Sequence, residues 1–154
     1  MVVILHNIRS THNVGSIFRT ADAAGCEKIY LCGITPTPTD RFGRANEKIA
    51  KVALGAENWV KWEKISRTTA ILDKLKKEGY KIFAIEQSKK SIPYNKLKIK
   101  NFKVALILGA EVDGLPPAVL RRADKILEIP MRGKKESLNV VVAFGIVVFN
   151  LTNK

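Results

Sequence analysis

The sequence predicts a single α/β domain built on a parallel sheet with helices on its faces. Three observations carry that expectation. Short apolar runs rich in Val, Ile and Leu recur without polar alternation, as expected for strands covered on both faces. Helix-period segments lie between several of them, and strands alternating with helices form parallel sheets. The chain has 154 residues, the size of one domain around one core.

The elements follow in order. Val2–Ile8 (VVILHNI) is the first strand-like run. Asn13 then opens a helix with Val14, Ile17, Phe18, Ala21 and Ala24 on one face, and Gly25 stops it. Lys28–Gly33 is the next strand, and Ile34–Asn46, rich in Pro, Thr, Arg and Gly, is a loop. Glu47–Leu54 reads as a short helix and Trp59–Glu63 as a short strand. Ser66 caps a second amphipathic helix running through Glu78, with Ile71, Leu72 and Leu75 on one face. Tyr80–Glu86 and Lys103–Gly109 are buried-type strands, and Lys125–Pro130 is the last one. Between the last two of these strands, Pro116–Ala123 is a short helix with proline in its first turn. The segment Ser137–Leu151 stays open on pattern alone. Its Val and Ile favour a strand, whereas its length and a capping Ser137 favour a helix.

Charge narrows the partners. Against 27 Lys and Arg stand 14 Asp and Glu, and the excess of +13 is spread over both halves. A folded domain with that field attracts polyanions, of which nucleic acid is the commonest inside a cell. The lysines from Lys89 to Lys103 read as a solvated face. Cys26 and Cys32 make no disulfide framework and no zinc spacing with the two histidines. They read as small buried residues in a reducing cytosol, and no metal is expected. The start of the chain lacks a signal-peptide pattern. The longest apolar run, Val140–Phe149, is about half of the roughly 20 residues a membrane helix needs. A cytoplasmic protein with no membrane partner is the expectation.

Several chemistries fail on inspection. Gly109–Gly114 has the outer spacing of a phosphate loop, but Leu115-Pro116 stand where Lys-Ser/Thr belongs. No G-x-G-x-x-G follows a strand, and no G-x-S-x-G or H-E-x-x-H occurs. Three polar, glycine-bearing segments remain: Asn13–Gly25, Leu106–Pro116 and Ile129–Ala143. Each has an ordinary reading, with Arg19 a solvated helix residue, Glu111 a turn acid, and Ser137 and Asn139 helix caps. Their joint occurrence is what carries information.

In this order and spacing the three segments resemble motifs 1, 2 and 3 of the SpoU–TrmH family of RNA ribose 2′-O-methyltransferases, in the SPOUT superfamily. Asn13, Gly15, Arg19, Thr20 and Ala21 match N-x-G-x-x-x-R-T-A. Leu106, Gly109, Glu111, Gly114 and Leu115 match L-x-x-G-x-E-x-x-G-L. Ile129, Pro130, Met131, Gly133, Ser137, Leu138, Asn139 and Val140 match I-P-M-x-G-x-x-x-S-L-N-V.

The resemblance implies more than composition shows. It implies a C-terminal helix threaded through a loop as a deep trefoil knot, and a homodimer with the cofactor pocket near the subunit interface. It implies S-adenosyl-L-methionine as cofactor, held by main-chain groups around Gly109, Ile129 and Leu138. Glu86, Gly114, Met131 and Gly133 flank it, the glycines letting ligand approach the backbone. Arg19 is the residue placed by the ribose, with Asn13 bonding near it, Glu111 fixing the guanidinium or the loop, and Ser137 and Asn139 completing the polar wall. RNA contacts fall to Arg9, Arg41, Arg44, Arg132 and Lys134, on the core itself and without a separate RNA-binding extension. The expected substrate is transfer RNA ahead of ribosomal RNA. A non-catalytic basic RNA-binding protein is the alternative, and it has no need of these motif residues together.

Overall fold

In the computed structural model, which describes residues 1–99, 101 and 103–152, the apolar runs become strands of one sheet. These are β1 (Val2–His6), β2 (Lys28–Cys32), β3 (Lys61–Ile65), β4 (Tyr80–Ile85), β5 (Ile92–Pro93), β6 (Lys103–Leu108) and β7 (Lys125–Glu128). The helices are α1 (Thr11–Ala23), α2 (Glu47–Ala53), α3 (Ala56–Trp59), α4 (Thr68–Lys77), α5 (Pro117–Leu120) and α6 (Val140–Thr152). The strand order is β3-β2-β1-β6-β4-β7-β5, and every pairing is parallel.

Residues along each central strand feed two cores in turn. Val3, Leu5, Ile29, Leu31, Leu106 and Leu108 pack with Phe18 of α1 and Phe144 of α6 on one face. Val2, Ile4, Ala105 and Ile107 pack with Leu72 and Leu75 of α4 on the other. Burial on both sides explains why these runs lack alternation. All strand C-termini therefore leave one edge of the sheet.

The structure moves several boundaries. Ser10, not Asn13, caps α1: its side chain accepts from the Asn13 backbone N–H, which frees the Asn13 side chain for another task. Gly25 follows the helix at φ +70°, as a stop requires. Ser66 does not cap α4, whose cap position is Arg67 with no side-chain bond. Trp59 closes the short α3 instead of opening a strand. The strand is Lys61–Ile65, paired with Lys28–Cys32 and tied across by Lys28 Nζ to Glu63 Oε2 at 2.6 Å.

The C-terminal segment is a helix. Phe144, Val147, Val148 and Leu151 bury its inner side, and Gly145 comes close to Thr20 of α1. The cap is Asn139, whose Oδ1 accepts from Val141 N at 2.8 Å, and not Ser137. Val and Ile propensity yields to tertiary packing here. In the lysine-rich stretch, Lys89, Lys90, Lys96, Lys98 and Lys103 are exposed, and Lys100 lies outside the described residues. Cys26 and Cys32 are free and buried, and burial pushes both thiols up to about 11. No helix among the described residues is long and apolar enough to cross a membrane.

Candidate active site

A cavity of about 350 Å³ opens beyond the C-terminal ends of the neighbouring strands β4, β6 and β7. That is within the usual range of small-molecule sites, and the C-terminal edge of a parallel sheet is where such sites sit. Of the residues expected at a cofactor, Glu86, Gly109, Gly114, Ile129, Met131 and Leu138 line it, joined by Glu111 and Ser137. Gly133 is exposed and lies outside the lining. The lining holds four acids, Glu86, Glu111, Asp113 and Glu128, and no Lys or Arg. In a chain of net charge +13 this is a local inversion of sign. It disfavours phosphate-bearing ligands and favours a small cation.

The glycines act differently from the expectation. A Cβ on Gly109 would meet the carbonyl carbon and oxygen of Gly114, each at 2.6 Å, so its bareness serves loop closure and not ligand approach. Gly114 N donates to Ala110 O at 2.9 Å, closing the 110–114 turn. Gly114 sits at φ +62°, and a Cβ there would strike the Glu86 carboxylate. Glu86 Oε2 in turn accepts from Leu115 N at 3.0 Å, and Oε1 accepts from Gln87 N at 2.9 Å. Glu86 thus ties the loop after β6 to the end of β4.

Three motif residues distant in sequence converge beside the cavity. Asn13 is buried in α1, and its Nδ2 donates to Glu111 Oε1. Its Oδ1 accepts from Asn139 Nδ2 at 3.4 Å. The adjacency of β1 and β6 makes the first contact possible, since α1 follows β1 and Glu111 follows β6. Arg19 stands apart. Six residues at 100° each turn it about 120° around α1 from Asn13, onto the exposed side. Neither Asn13 nor Glu111 bonds the guanidinium; the two bond each other, so of the two roles expected of Glu111 it is the one in the loop that the geometry leaves.

Residues 1–149 match the SpoU rRNA Methylase family. The chain belongs to that family. The tRNA (guanosine(18)-2′-O)-methyltransferase of Aquifex aeolicus is 32% identical over 149 residues, 97% of this chain and 67% of the relative. The 23S rRNA (guanosine-2′-O-)-methyltransferase RlmB of Ralstonia nicotianae is 31% identical over 151 residues, 97% of this chain and 57% of the relative. The chain thus spans between 57% and 67% of the length of these two curated relatives. Among solved structures, an AdoMet-bound rRNA methyltransferase from Sinorhizobium meliloti superposes with a TM-score of 0.87 at 30% identity, covering 97% of this chain and 54% of that one.

Lysines open β2, β3, β6 and β7 at the N-terminal edge of the sheet, whereas the five basic residues expected at RNA follow strand C-termini. Arg9 follows β1, Arg41 and Arg44 follow β2, and Arg132 and Lys134 follow β7; all five are exposed. They leave the same edge of the sheet as the acidic cavity. Gln87 and Asp113 were not singled out in the sequence. Gln87 Nε2 donates to Glu136 O at 2.5 Å, which links the end of β4 to the loop before α6. Its position one residue after Glu86 is the only signal the sequence offers. Asp113 lies inside the second motif at a position the motif leaves free, so nothing marked it.

Proposed function

We propose that the chain is an S-adenosylmethionine-dependent methyltransferase acting on a ribose 2′-hydroxyl of RNA, with transfer RNA as its substrate class. The observation that carries this is the hydrogen-bonded chain from Asn139 through Asn13 to Glu111, one residue from each motif, with Glu111 lining an acidic cavity in a basic protein.

The donor set fits the cofactor. Leu127, Ile129, Leu138 and Val140 offer an apolar slot, while Asp113 and Glu128 suit a positively charged ligand better than a phosphate. The residues that would hold it are the 109–115 loop and the main chain at Ile129 and Leu138. Bound there, the cofactor supplies an electrophilic methyl group on a sulfonium.

The protein's share of the chemistry is orientation and proton handling. Asn13, itself held by Asn139, fixes Glu111 and with it the loop that shapes the cavity. Arg19 presents a guanidinium on the open side of α1, where it can hold a phosphate bidentately and orient the 2′-oxygen. A guanidinium offers no free lone pair to take a proton, so the proton leaves to phosphate or water. Arg9, Arg41, Arg44, Arg132 and Lys134 take RNA phosphates. No metal enters the reaction.

We infer further that α6 is threaded as the trefoil knot of this fold, that two copies pair, and that the protein works in the cytoplasm. The seat of α6 on α1 and the exposed Val142 and Phe149 support the first two. The buried free thiols and the RNA-directed names of the relatives support the third.

Ribosomal RNA is the second reading, favoured by the 31% identity to a 23S rRNA enzyme. Labelled cofactor offered with unfractionated transfer RNA or ribosomal RNA, followed by nucleoside analysis, separates the two. Label is expected on a ribose-methylated nucleoside of transfer RNA. Label on ribosomal RNA alone moves the substrate to the second reading. Label on neither, with metal absent, contradicts the proposal.

A further inference from the structure

The loop after β2 ends in a built tip. At its root, Asn7 Oδ1 accepts from Ile34 N at 3.1 Å, and Lys64 Nζ donates to the carbonyls of Gly33 and Thr35 at 2.6 and 2.5 Å. Farther out, Thr39 and Ala45 pair in an antiparallel bridge. Asp40 organises the end: its Oδ1 accepts from the backbone N–H of Phe42 and Arg44 at 2.8 and 3.0 Å, and its Oδ2 accepts from Arg44 Nε at 2.6 Å. Gly43, at φ +77°, makes the turn.

What this scaffold holds out is a phenyl ring. Phe42 is 67% exposed, with the guanidinium carbons of Arg41 and Arg44 at 4.8 and 5.2 Å from its centroid. A fixed ring on a root-anchored loop loses little freedom on binding, which is how rigid aromatic anchors gain affinity. A ring flanked by arginines matches the chemistry of an unstacked nucleotide: the base has a π-face and the neighbouring phosphates carry charge.

The position suits the same ligand. All strands are parallel, so this loop leaves the edge that carries the cavity. β2 lies two places from β6 in the sheet, about 10 Å at the usual strand spacing. That places the loop within reach of a nucleotide near one at the cavity.

We propose that the 39–45 tip is a base-stacking clamp for an unpaired nucleotide of the RNA substrate, with Phe42 on the base and Arg41 and Arg44 on the adjoining phosphates. The clamp rests on the reading of RNA as substrate and adds to it a requirement for a single-stranded neighbour. Duplex RNA alone is then a poor ligand for the tip.

Two probes test it: a single-stranded RNA 12-mer carrying 2-aminopurine, whose fluorescence falls on stacking, and unfractionated transfer RNA. Phe42→Ala and Phe42→Leu should each weaken binding by about fivefold or more and remove the quench, while Phe42→Trp keeps both. Cofactor affinity should be the same in all three, which certifies the fold. A Leu variant that binds and quenches like the parent would overturn the clamp, since Leu keeps apolar area without a π-face. Unchanged affinity in Phe42→Ala would also overturn it, and would give the ring to another partner. Phe42-dependent quenching without methyl transfer to any RNA upholds the clamp and faults the enzyme reading. Unchanged binding and full methyl transfer in Phe42→Ala does the reverse.

Discussion

The side-chain amide of Asn13 donates to the carboxylate of Glu111, 98 positions further along the chain. The contact joins the first turn of α1 to the loop that walls the cavity, and Asn139 closes it from the third motif. Asn13→Asp sets two carboxylates against each other and should cost about 1–3 kcal/mol, read as a lower urea midpoint. Adding Glu111→Gln restores the bond with its ends exchanged, so the double variant should regain part of the loss. A double variant no more stable than Asn13→Asp alone would contradict the pairing.

Gly109 tests the loop. The 2.6 Å approach of its missing Cβ to the Gly114 backbone leaves no room even for a methyl group. Gly109→Ala should open the 110–114 turn and weaken S-adenosylmethionine binding at least about tenfold by calorimetry, and Gly109→Val should abolish it. Normal cofactor affinity in Gly109→Val would show that the loop does not shape the pocket.

Arg19 lies off the cavity lining, on the open side of α1. Arg19→Ala should keep fold and cofactor affinity yet lose single-turnover methyl transfer by about 10²-fold or more at saturating RNA. Arg19→Lys should not rescue it, because an ammonium lacks the planar two-pronged contact. Arg19 is exposed and does not line the cavity of its own chain, so in the homodimer proposed above it would be available to the partner's cavity. Mixing Arg19→Ala with Gly109→Val should then restore activity in mixed dimers; near-normal turnover in Arg19→Ala alone makes the arginine a solvated helix residue.

The two buried thiols give an alkaline signature. Unfolded cysteines lose their protons near about 8.5, whereas burial holds Cys26 and Cys32 at about 11. Between those values the unfolded chain binds fewer protons than the folded one, so stability falls as pH rises through the window. Urea midpoints at pH 8.5 and 10 should show this fall, and it should be smaller in the Cys26→Ala/Cys32→Ala double variant. An equal fall in both proteins would mean that other groups set it.

The parallel sheet was legible because strands buried on both faces leave runs such as Val2–Leu5 and Val104–Leu108. Most cavity residues were legible through their motifs: of the eight expected ones that line it, all but Glu86 belong to one. The reasons behind some of them were not. Gly109 needs its bareness for the Gly114 backbone, a contact across a turn whose folding cannot be read from glycine spacing. Asn13 resembles a cap in sequence, but Ser10 takes that task three residues earlier, and only the β1–β6 adjacency turns Asn13 toward Glu111. The α6 helix was beyond propensity altogether, since its Val and Ile content speaks for a strand and its packing on α1 decides otherwise. Phe42 was hidden inside a loop composition, with Asp40 the one residue whose spacing to Arg44 hinted at a turn.

Methyl transfer to a ribose of RNA is the reaction proposed for this chain. Mapping 2′-O-methyl positions across total RNA from cells with and without the gene, by resistance to alkaline cleavage, tests it most directly. A defined ribose in transfer RNA should lose its protection when the gene is absent and regain it with the parent chain but not with Arg19→Ala. An unchanged map, or a change confined to base methylation, would contradict it.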